Sequence, residues 1–544
     1  MLLISRSSGL RRLTLAICLA TAPAAPATAQ APTPFQVAEA QVRVGHLHIT
    51  GNTAFDMEAL HALVREAEGQ VLTLPQIEAL ANRITAFYRQ HGFLLARAYI
   101  PAQEIRDGGV VEVAILEGRL GAIEVQGNKH YRADSLKKYV LPPEETRAFN
   151  AQRFERGLLL LNDLPGLGVK STLKPGTAVG TTDVVLDVDR DRLIDGSLEA
   201  NNYGSRLTGR ERFTANLNVN NPLGLGDQVS MRALASREFD LLWLTRFGYT
   251  VPLATWGTRV GFSHTHIHSE VGQEFRELGI QGAGDIYSVV ATHPFARSRA
   301  FSLYGTIGLD WKNLRTEILG ETVSHDYLRV LNVGGSVEVV DRWRGLNSGS
   351  LTVAQGLPDF MYGLKAIDER TSRVGAGGLF TKVGGEYSRL QQIVGPTSAF
   401  FRVTSQWAST QVPSPEQFTV GGQGTVRGYP VSEIAGDWGY VTTLELRWNA
   451  PGFGHLPAFG GRTWGDLLQA FWFIDSGAIR TLHPPDGTPG SKHLTSTGVG
   501  VRFTIPDNLH VKLEYAKPIL RPIGGPEPSD KLDHTFYFLV IKWF

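Results

Sequence analysis

The sequence predicts a transmembrane antiparallel β-barrel of about 16 strands that follows two small α+β modules. Helical periodicity is confined to the first part of the chain, and strict alternation of apolar and polar residues replaces it from about residue 196. Charged residues make up 19% of the chain, whereas 60 of its 544 residues are Gly. No run of ~20 apolar residues follows the N-terminal segment, which excludes membrane-spanning helices. Together these features indicate a large β-structure in contact with an apolar environment.

The charge balance and the hydrophobic content exclude two further classes of protein. Lys and Arg total 53 residues and Asp and Glu total 52, so a net charge of +1 gives no excess for binding nucleic acid. Hydrophobic residues make up 42% of the chain, which is enough to bury a core and excludes a disordered protein.

Residues 1–29 have the pattern of a signal peptide, and residues 30–42 follow as a short linker. Arginines precede the apolar segment 13–20, which is too short to span a bilayer, and Ala27-Thr28-Ala29 offers a cleavage site. The single cysteine, Cys18, lies inside the signal peptide, so the mature chain is expected to contain no disulfide and no cysteine ligand. These features predict an exported protein of the periplasm or outer membrane of a Gram-negative cell.

Residues 43–118 are predicted to form the first α+β module. A strand ends at the turn Gly51-Asn52, and a capping box at Thr73-Leu74-Pro75-Gln76 opens a helix with an apolar face. The expected order is this strand, helices at about 56–68 and from residue 73, and strands at 94–100 and 110–116.

Residues 119–193 repeat this order and are predicted to form a second module. The segment 47–52 (LHITGN) recurs 76 residues later as 123–128 (IEVQGN). The expected elements after the repeated turn are helices at 135–140 and 153–161 and a strand at 183–188.

Residues 196–544 are predicted to form the barrel, because apolar and polar residues alternate over segments of about ten residues. A soluble β-sandwich also alternates, but charges in mid-strand on the polar faces and aromatic residues on the apolar faces favour a barrel in a membrane. Short turns at 221–224 and 252–254 are expected on the periplasmic side. The residues that favour the barrel are Arg502, Lys512 and Glu514 for the charges and Trp243, Tyr249, Trp448, Trp472 and Tyr515 for the aromatics.

A glycine-rich segment at 421–430 (GGQGTVRGYP) is the densest local signal in the predicted barrel. Its glycines allow close approach of the backbone, Arg427 offers a rigid fork of donors, and Tyr429 offers an amphipathic side chain. Downstream, alternation places Asp475 of Phe473-Ile474-Asp475 on the lumenal face beside aromatic residues. A guanidinium on a loop folded into the barrel would satisfy this carboxylate. The alternative is an external loop with a solvated arginine and a lumenal aspartate that faces water.

From Val42 to Phe544 the chain resembles the outer-membrane transporters of two-partner secretion, of the haemolysin-activator and filamentous-haemagglutinin-secretor type. That family combines a signal peptide, two polypeptide-transport-associated (POTRA) modules and a barrel. The resemblance is carried by LPQI at 74–77, YRQHGF at 88–93, AYIP at 98–101, LEG at 116–118, VRGY (Val426, Arg427, Gly428 and Tyr429) and FID at 473–475.

The resemblance implies roles for two sets of residues. In the family the VRGY loop reaches into the lumen and its arginine pairs with the strand aspartate, which here implies a pair between Arg427 and Asp475. The last strand resembles the signal that the barrel-insertion machinery reads, with Phe536, Phe538 and Phe544 on one face. The short linker before the first module argues against the family's N-terminal plug helix.

The implied function is an outer-membrane protein-conducting pore, with its modules in the periplasm, that exports one unfolded partner exoprotein of the adhesin or cytolysin type. The implied partners are this exoprotein, the barrel-insertion machinery and outer-membrane lipid, and nucleic acid is not among them. An insertase of the same superfamily is the alternative, although two modules rather than a longer array speak against it. A passive porin would leave the modules without a purpose.

No enzyme activity, cofactor or metal site is expected from the sequence. It contains no nucleophile elbow, no HExxH motif and no strand–turn–helix context for a nucleotide. The segment His264-Thr265-His266-Ile267-His268 places three imidazoles on one strand face, but the next carboxylate along the chain is that of Glu270.

Overall fold

The computed structural model describes residues 41–104, 109–141, 148–178, 180–520 and 534–544. The predicted signal peptide and most of the predicted linker, where a plug helix would lie, fall outside these residues. Within the described ranges, no helix combines the length and the apolar character needed to cross a bilayer.

The first module contains a three-stranded sheet with one long helix against it. Its elements are β1 (Gln41–Arg43), β2 (His46–Thr50), α1 (Met57–His61), β3 (Val71–Thr73), α2 (Leu74–Gln90), β4 (Arg97–Tyr99) and β5 (Val110–Leu116). β2 pairs in parallel with β5, and β4 pairs antiparallel with the other side of β5, so the sheet order is β2–β5–β4. The predicted capping box opens α2, since Gln76 Oε1 accepts the Thr73 N–H at 2.8 Å.

Two elements of this module differ from the sequence expectation. The helix expected at 56–68 is divided into α1 and a 3₁₀ helix at Arg65–Ala67, because Val64 adopts a φ of −133°, outside the helical range. The strand expected at 94–100 is reduced to β4, because a backbone-bonded turn that ends at Ala96 occupies its first half.

The second module has the same topology as the first. Its elements are β6 (Arg119–Gln126), α3 (Ala133–Val140), α4 (Ala151–Asn162), β7 (Leu167–Pro175) and β8 (Thr181–Asp191). β6 pairs in parallel with β8, and β7 pairs antiparallel with the other side of β8, which gives the order β6–β8–β7. The sequence does not predict β7, because Lys170, Ser171 and Thr172 interrupt its apolar pattern.

The repeated turn has the same geometry in both modules. Gly51 and Gly127 adopt φ values of 84° and 80°, and a Cβ on them would lie 2.3 and 2.5 Å from a carbonyl oxygen of the module's last strand. The adjacent Asn52 and Asn128 each donate a side-chain N–H to the backbone carbonyl three residues further on, at 3.0 and 2.7 Å. Glycine is required by both the backbone angle and the close approach, which explains why the sequence repeats here.

Sixteen antiparallel strands form a closed barrel after the second module, which confirms the predicted fold class. The first and the last of these strands pair with each other and close the barrel, and two further short strands form a separate hairpin. The barrel strands are β9 (Ile194–Asn201), β10 (Arg212–Asn220), β11 (Gln228–Ser236), β12 (Leu242–Pro252), β13 (Arg259–Glu270), β14 (Gln281–Arg297), β15 (Phe301–Ile318), β16 (Glu321–Val340), β17 (Leu346–Gly356), β18 (Thr381–Val394), β19 (Thr397–Ala408), β22 (Trp438–Asn449), β23 (Leu468–Arg480), β24 (Ser491–Ile505), β25 (Leu509–Leu520) and β26 (Thr535–Trp543). The hairpin strands are β20 (Phe418–Val420) and β21 (Ile434–Gly436), and a short helix α5 (Trp464–Leu467) precedes β23.

Contacts to the segment that carries this hairpin identify the lumenal face of the barrel. Glu416 contacts Lys312 of β15 and Lys382 of β18 at 2.5 and 2.6 Å. Successive side chains of a strand point to opposite faces, and residues directly opposite on neighbouring strands share a face. The register therefore extends the lumenal face from the two lysines to every strand of the barrel. The lumenal side carries Arg502, Lys512 and Glu514, and the outer side carries Trp243, Tyr249, Trp448, Trp472 and Tyr515.

The second module docks directly on one end of the barrel. Asp163, which follows α4, forms a two-bonded ion pair with Arg297 of β14, at 3.0 and 2.8 Å. Asn221, in the turn after β10, donates to the carbonyl oxygen of His130 at 2.9 Å. The two short turns predicted on the periplasmic side therefore lie at the end of the barrel that carries the modules.

Candidate functional site

The segment between β19 and β22 folds back into the barrel as a hairpin. Between its arms, β20 and β21, runs the glycine-rich segment, which we call the lumenal loop (residues 421–433). Gly421 and Gly422 adopt positive φ values of 122° and 92°. A Cβ on Gly421 would lie 2.4 Å from the carbonyl oxygen of Pro430, so glycine allows the two sides of the loop to touch.

The VRGY motif is the buried part of the lumenal loop. Its valine, arginine and tyrosine residues are all at most 4% exposed. The Tyr429 hydroxyl donates to the carbonyl oxygen of Thr495 at 2.9 Å, which anchors the loop to β24. The Gly428 N–H donates to the hydroxyl of Tyr537 at 3.0 Å, which anchors the loop to β26.

The structure brings Arg427 and Asp475 together inside the barrel. The Nε and Nη2 atoms of Arg427 donate to Oδ2 and Oδ1 of Asp475 at 2.7 and 2.9 Å. The backbone N–H of Arg427 also donates to Oδ2, at 3.2 Å. Asp475 is fully buried, so the carboxylate exchanges its contacts with water for three bonds to a single residue.

Two further carboxylates complete the surroundings of Arg427. Its Nη1 atom donates to Oε1 of Glu445 and to Oε1 of Glu514, at 3.1 and 2.7 Å. Glu445 lies on β22, Asp475 on β23 and Glu514 on β25, so one guanidinium connects three strands of the barrel. Three more cations contact these glutamates at 2.8 to 2.9 Å, and they are Arg447, Arg502 and Lys512.

Aromatic rings lie beneath the two central arginines of this network. The Cζ atom of Arg427 is 3.4 Å from the ring centroid of Phe473, and that of Arg502 is 3.8 Å from the ring centroid of Phe471. Such cation–π contacts strengthen when water is excluded. A Cβ on Gly498 would lie 2.4 Å from the Phe473 ring, so this glycine of β24 provides the space that the ring occupies.

The network is stable only while its charges remain paired. Removing one partner from a buried ion pair typically costs ~3–5 kcal/mol, because the other charge is left without compensation. Separation of Arg427 from its carboxylates is therefore strongly disfavoured while these groups remain buried.

A second buried ion pair holds the base of the hairpin. Arg373, in the segment between β17 and β18, contacts Asp437 through Nη1–Oδ1 and Nη2–Oδ2 distances of 2.5 and 3.0 Å. Asp437 is fully buried and also accepts the backbone N–H groups of Val412 and Leu482, at 2.9 and 2.7 Å. The segment from β17 to β18 is thereby tied to the hairpin, at the end of the barrel away from the modules.

Sequence reasoning misses Glu445 and Asp437 as members of the site. Neither belongs to a recognisable motif, and each reaches its arginine across the barrel rather than along the chain. The available signal was alternation, which places Glu445 on the same strand face as Arg447. An acidic residue in mid-strand on a lumenal face is therefore a useful marker for such networks.

The last strand presents Phe536 and Phe538 on the outer face of the barrel, followed by the terminal Phe544, whereas Tyr537 faces the lumen. Phe536 and Phe544 are each 54% exposed, and Phe538 shares the outer side of β26. Phe544 exchanges two backbone hydrogen bonds with Gly196 of β9, at 3.2 and 3.3 Å, which completes the closure of the barrel. Lys542, also on the outer face, donates to Oδ1 of Asn508 at the end of the barrel that carries the modules, at 2.7 Å.

The histidine segment of β13 also lies on the outer face. His264 and His266 each contact Oδ1 of Asp285, on the neighbouring strand β14, at 2.8 and 2.9 Å. Asp285 is a neighbour across the sheet and not along the strand, so the local sequence does not reveal this contact.

Two family models match the chain. The model described as "Haemolysin secretion/activation protein ShlB/FhaC/HecB" matches residues 180–503, and the model described as "POTRA domain, ShlB-type" matches residues 42–118. The first covers more than half of the chain and includes the lumenal loop and its partners on β22 and β23. The second covers the first module.

Individual relatives and a solved structure agree with these matches. The heme/hemopexin transporter protein HuxB of Haemophilus influenzae (strain 86-028NP) is 25% identical over 500 residues, which cover 90% of this chain and 84% of HuxB. The outer membrane transporter CdiB of Escherichia coli O6:K15:H31 (strain 536 / UPEC) is 26% identical over 426 residues, 75% of this chain and 69% of CdiB. The solved structure of CdiB from Escherichia coli shares the fold, with a TM-score of 0.77, 22% identity, and coverage of 95% of this chain and 93% of that chain. The protein therefore belongs to the ShlB/FhaC/HecB family and is a two-partner secretion transporter of the outer membrane, with its modules in the periplasm.

Proposed function

We propose that this transporter exports an unfolded exoprotein of the adhesin or cytolysin type, and that displacement of the lumenal loop opens the path through the barrel. The observation that carries this proposal is the position of Arg427, whose guanidinium holds the loop to three strands inside the lumen. Because this one residue links the loop to three barrel strands, loss of its contacts would release the loop.

The lumenal loop occupies space that a chain in transit needs. Apolar side chains of the hairpin pack against the lumenal sides of β22, β23 and β24 in one buried cluster. Export therefore requires a second loop position, in which these contacts and those of Arg427 are exchanged for contacts with water or with the exoprotein. The cluster consists of Val420, Val426, Tyr429, Ile434, Val441, Ile479 and Leu494.

The periplasmic modules offer strand edges on which an extended segment of the exoprotein can be held. The outer strands are β2 and β4 in the first module and β6 and β7 in the second. An added strand would gain affinity from main-chain hydrogen bonds and specificity from the side chains beside the edge. Because the second module docks on the barrel, a segment held there lies next to the periplasmic entrance.

Several further roles belong to the same proposal. We expect no enzymatic step and no cofactor, so direction would come from folding of the exoprotein outside the cell. The terminal aromatics Phe536, Phe538 and Phe544 would be read by the barrel-insertion machinery and would then face outer-membrane lipid. We expect no nucleic-acid partner, since the chain carries a net charge of +1.

The proposal is tested by substituting Arg427 and measuring secretion of the partner exoprotein in whole cells. Arg427→Ala should leave the exoprotein in the periplasm while the barrel remains inserted, as checked by heat-modifiable migration of the folded barrel. Arg237→Ala, in an exposed turn after β11, is the matched control and should secrete normally.

Two results would contradict the proposal. Normal secretion by the Arg427→Ala variant would remove the role of the loop. A general loss of outer-membrane proteins on deletion of this chain, with the exoprotein otherwise exported, would favour an insertase instead.

A further inference from the structure

We propose that the first periplasmic module contains a binding site for a divalent transition metal ion, Zn²⁺ being the best fit, formed by His46, His61 and Glu68. Among the described residues these three form a group whose ligand atoms all lie within 4.8 Å of one another. Two imidazoles and one carboxylate are a donor set that zinc accepts, with a fourth position left for water.

The three side chains come from three separate elements of the module. His46 is the first residue of β2, His61 is the last residue of α1, and Glu68 follows the 3₁₀ helix at Arg65–Ala67. A metal ion here would tie the start of the sheet to the two short helices. These helices are the part of the module in which the expected continuous helix is interrupted, so a cross-link would stabilise its least regular segment.

The distances between the ligand atoms are close to those of a metal centre. Oε1 of Glu68 lies 2.6 Å from Nδ1 of His46 and 3.1 Å from Nε2 of His61. Zn–N and Zn–O bonds of ~2.0–2.2 Å in a tetrahedron place neighbouring ligand atoms ~3.3 Å apart. Insertion of the ion therefore requires only a small outward movement of the two rings. His46 is 58% exposed at its side chain, which gives the ion a route from solvent.

A backbone hydrogen bond positions the Glu68 carboxyl group for this role. The backbone N–H of Leu47 donates to Oε1 of Glu68 at 3.0 Å. The Leu47 bond would remain when a metal ion binds, and it fixes the orientation of the carboxylate.

This bond also links the site to the edge of the sheet. β2 is an outer strand, and Glu68 covers its Leu47 N–H, a donor that an added strand would otherwise use. A metal ion that fixes Glu68 would therefore keep the beginning of the β2 edge closed. Substrate addition in the first module would then be directed away from this point.

The test measures Zn²⁺ binding to the full mature chain in detergent, prepared without a histidine tag. Equilibrium dialysis against Zn²⁺ should give one more bound ion per chain for the parent protein than for Glu68→Gln or His61→Ala. Loss of a ligand should weaken binding at this site at least ~10-fold, since even outer-shell substitutions cost that much. His48→Ala is the matched control, because His48 is exposed on the same strand and outside the group, and it should bind like the parent protein.

Two further measurements separate loss of the site from loss of the fold. Co²⁺ bound by the parent protein should give a visible absorption spectrum typical of four-coordinate nitrogen and oxygen ligands, and this spectrum should be absent from the Glu68→Gln variant. Zn²⁺ should raise the thermal unfolding temperature of the parent protein and of His48→Ala but not of His61→Ala. Equal zinc stoichiometry and affinity in all four proteins, or a parent protein that binds no zinc at this position, would overturn the proposal.

Discussion

The Nε atom of Arg427 lies 2.7 Å from Oδ2 of Asp475, and the two side chains are 5% and 0% exposed inside the barrel. A pair this deeply buried forms part of a larger arrangement, because Glu445 and Glu514 approach the same guanidinium. The lumenal loop is therefore held by one cation with three anionic partners. Removing the cation leaves three carboxylates without it, whereas removing one carboxylate leaves the cation with two partners.

Removal of Arg427 should displace the lumenal loop more than removal of Asp475. Arg427→Ala leaves three buried carboxylates without their common partner, whereas Asp475→Ala leaves Arg427 paired with two glutamates. We expect a cost of about 3–5 kcal/mol for the first change and a smaller cost for the second. A thiol at the buried Val426 position, introduced as Val426→Cys, reports the displacement through its rate of labelling by a maleimide.

No other thiol of the mature chain should react with the maleimide, because the one cysteine of the sequence is Cys18 in the predicted signal peptide. Val426→Cys alone should label slowly, its combination with Asp475→Ala faster, and its combination with Arg427→Ala fastest. The double substitution of Arg427 and Asp475 should cost less than the sum of the two single ones, since they share a bond. Equal labelling in all backgrounds would mean that this pair does not hold the loop.

Gly498→Ala should weaken the docked loop without altering any charge. A Cβ at this position would lie 2.4 Å from the Phe473 ring and 2.1 Å from the carbonyl oxygen of Tyr515. The ring must therefore move, and with it the surface on which the Arg427 guanidinium rests. We expect faster thiol labelling in the Val426→Cys background and reduced secretion of the exoprotein.

Gly384→Ala on β18 provides the matched control for this change. The nearest atom to a Cβ there is 4.0 Å away, so the substitution should be tolerated, and neither glycine has a positive φ. Similar effects of the two alanines would show that the barrel responds to any loss of a strand glycine, and the contact with Phe473 would then have no special role.

Asp163→Ala should loosen the second module from the barrel. Arg297 donates two hydrogen bonds to this carboxylate. A hydrogen bond to a charged group contributes about 1.5–3 kcal/mol to stability, and partial exposure of this pair makes that range an upper limit for each bond. The expected result is faster proteolytic release of the modules from the detergent-solubilised barrel. Glu155→Gln is the control, because its partner Arg299 at the same interface has a side chain that is 73% exposed, and the pair should therefore contribute little. Equal release rates would place the docking energy elsewhere in the interface.

The barrel was predictable from the sequence because its signal is local. Alternation with a period of two assigns each side chain to one of two faces, and it correctly separates Trp472 from Asp475 without knowledge of the neighbouring strands. The repeated turns were predictable for a similar reason, since Gly51 and Gly127 each occupy a position that few other residues tolerate.

The composition of the lumenal network was not predictable in the same way. Whether Glu445, Glu514 and Asp475 meet one guanidinium depends on the register of three strands and on the path of a loop between them. Register is set by turn lengths and by cross-strand packing, and neither of these produces a repeating residue pattern that can be recognised in the sequence. The outer-face contact of His264 with Asp285 was missed for the same reason.

Acidification should destabilise the second module through Asp191. Burial alone would raise the pKa of this carboxyl, but the backbone N–H groups of Lys129, His130 and Tyr131 donate to it and hold its pKa below the usual range. The folded module therefore binds the proton more weakly than the unfolded chain does. The resulting stability is fully present above the ordinary carboxyl pKa of about 4 and is lost as the pH falls through the lower pKa of the folded state.

Amide hydrogen exchange of α3 in the full chain measures this effect, because the three N–H groups precede that helix. Asp191→Asn should speed exchange at pH 7, corresponding to a loss of about 1–3 kcal/mol, and should flatten the dependence of stability on pH below about 4. Asp134→Asn removes an exposed carboxylate of the same helix and should change neither quantity by more than a few tenths of a kcal/mol. If Asp191→Asn keeps the acid dependence of the parent protein, another carboxylate of the module must control it.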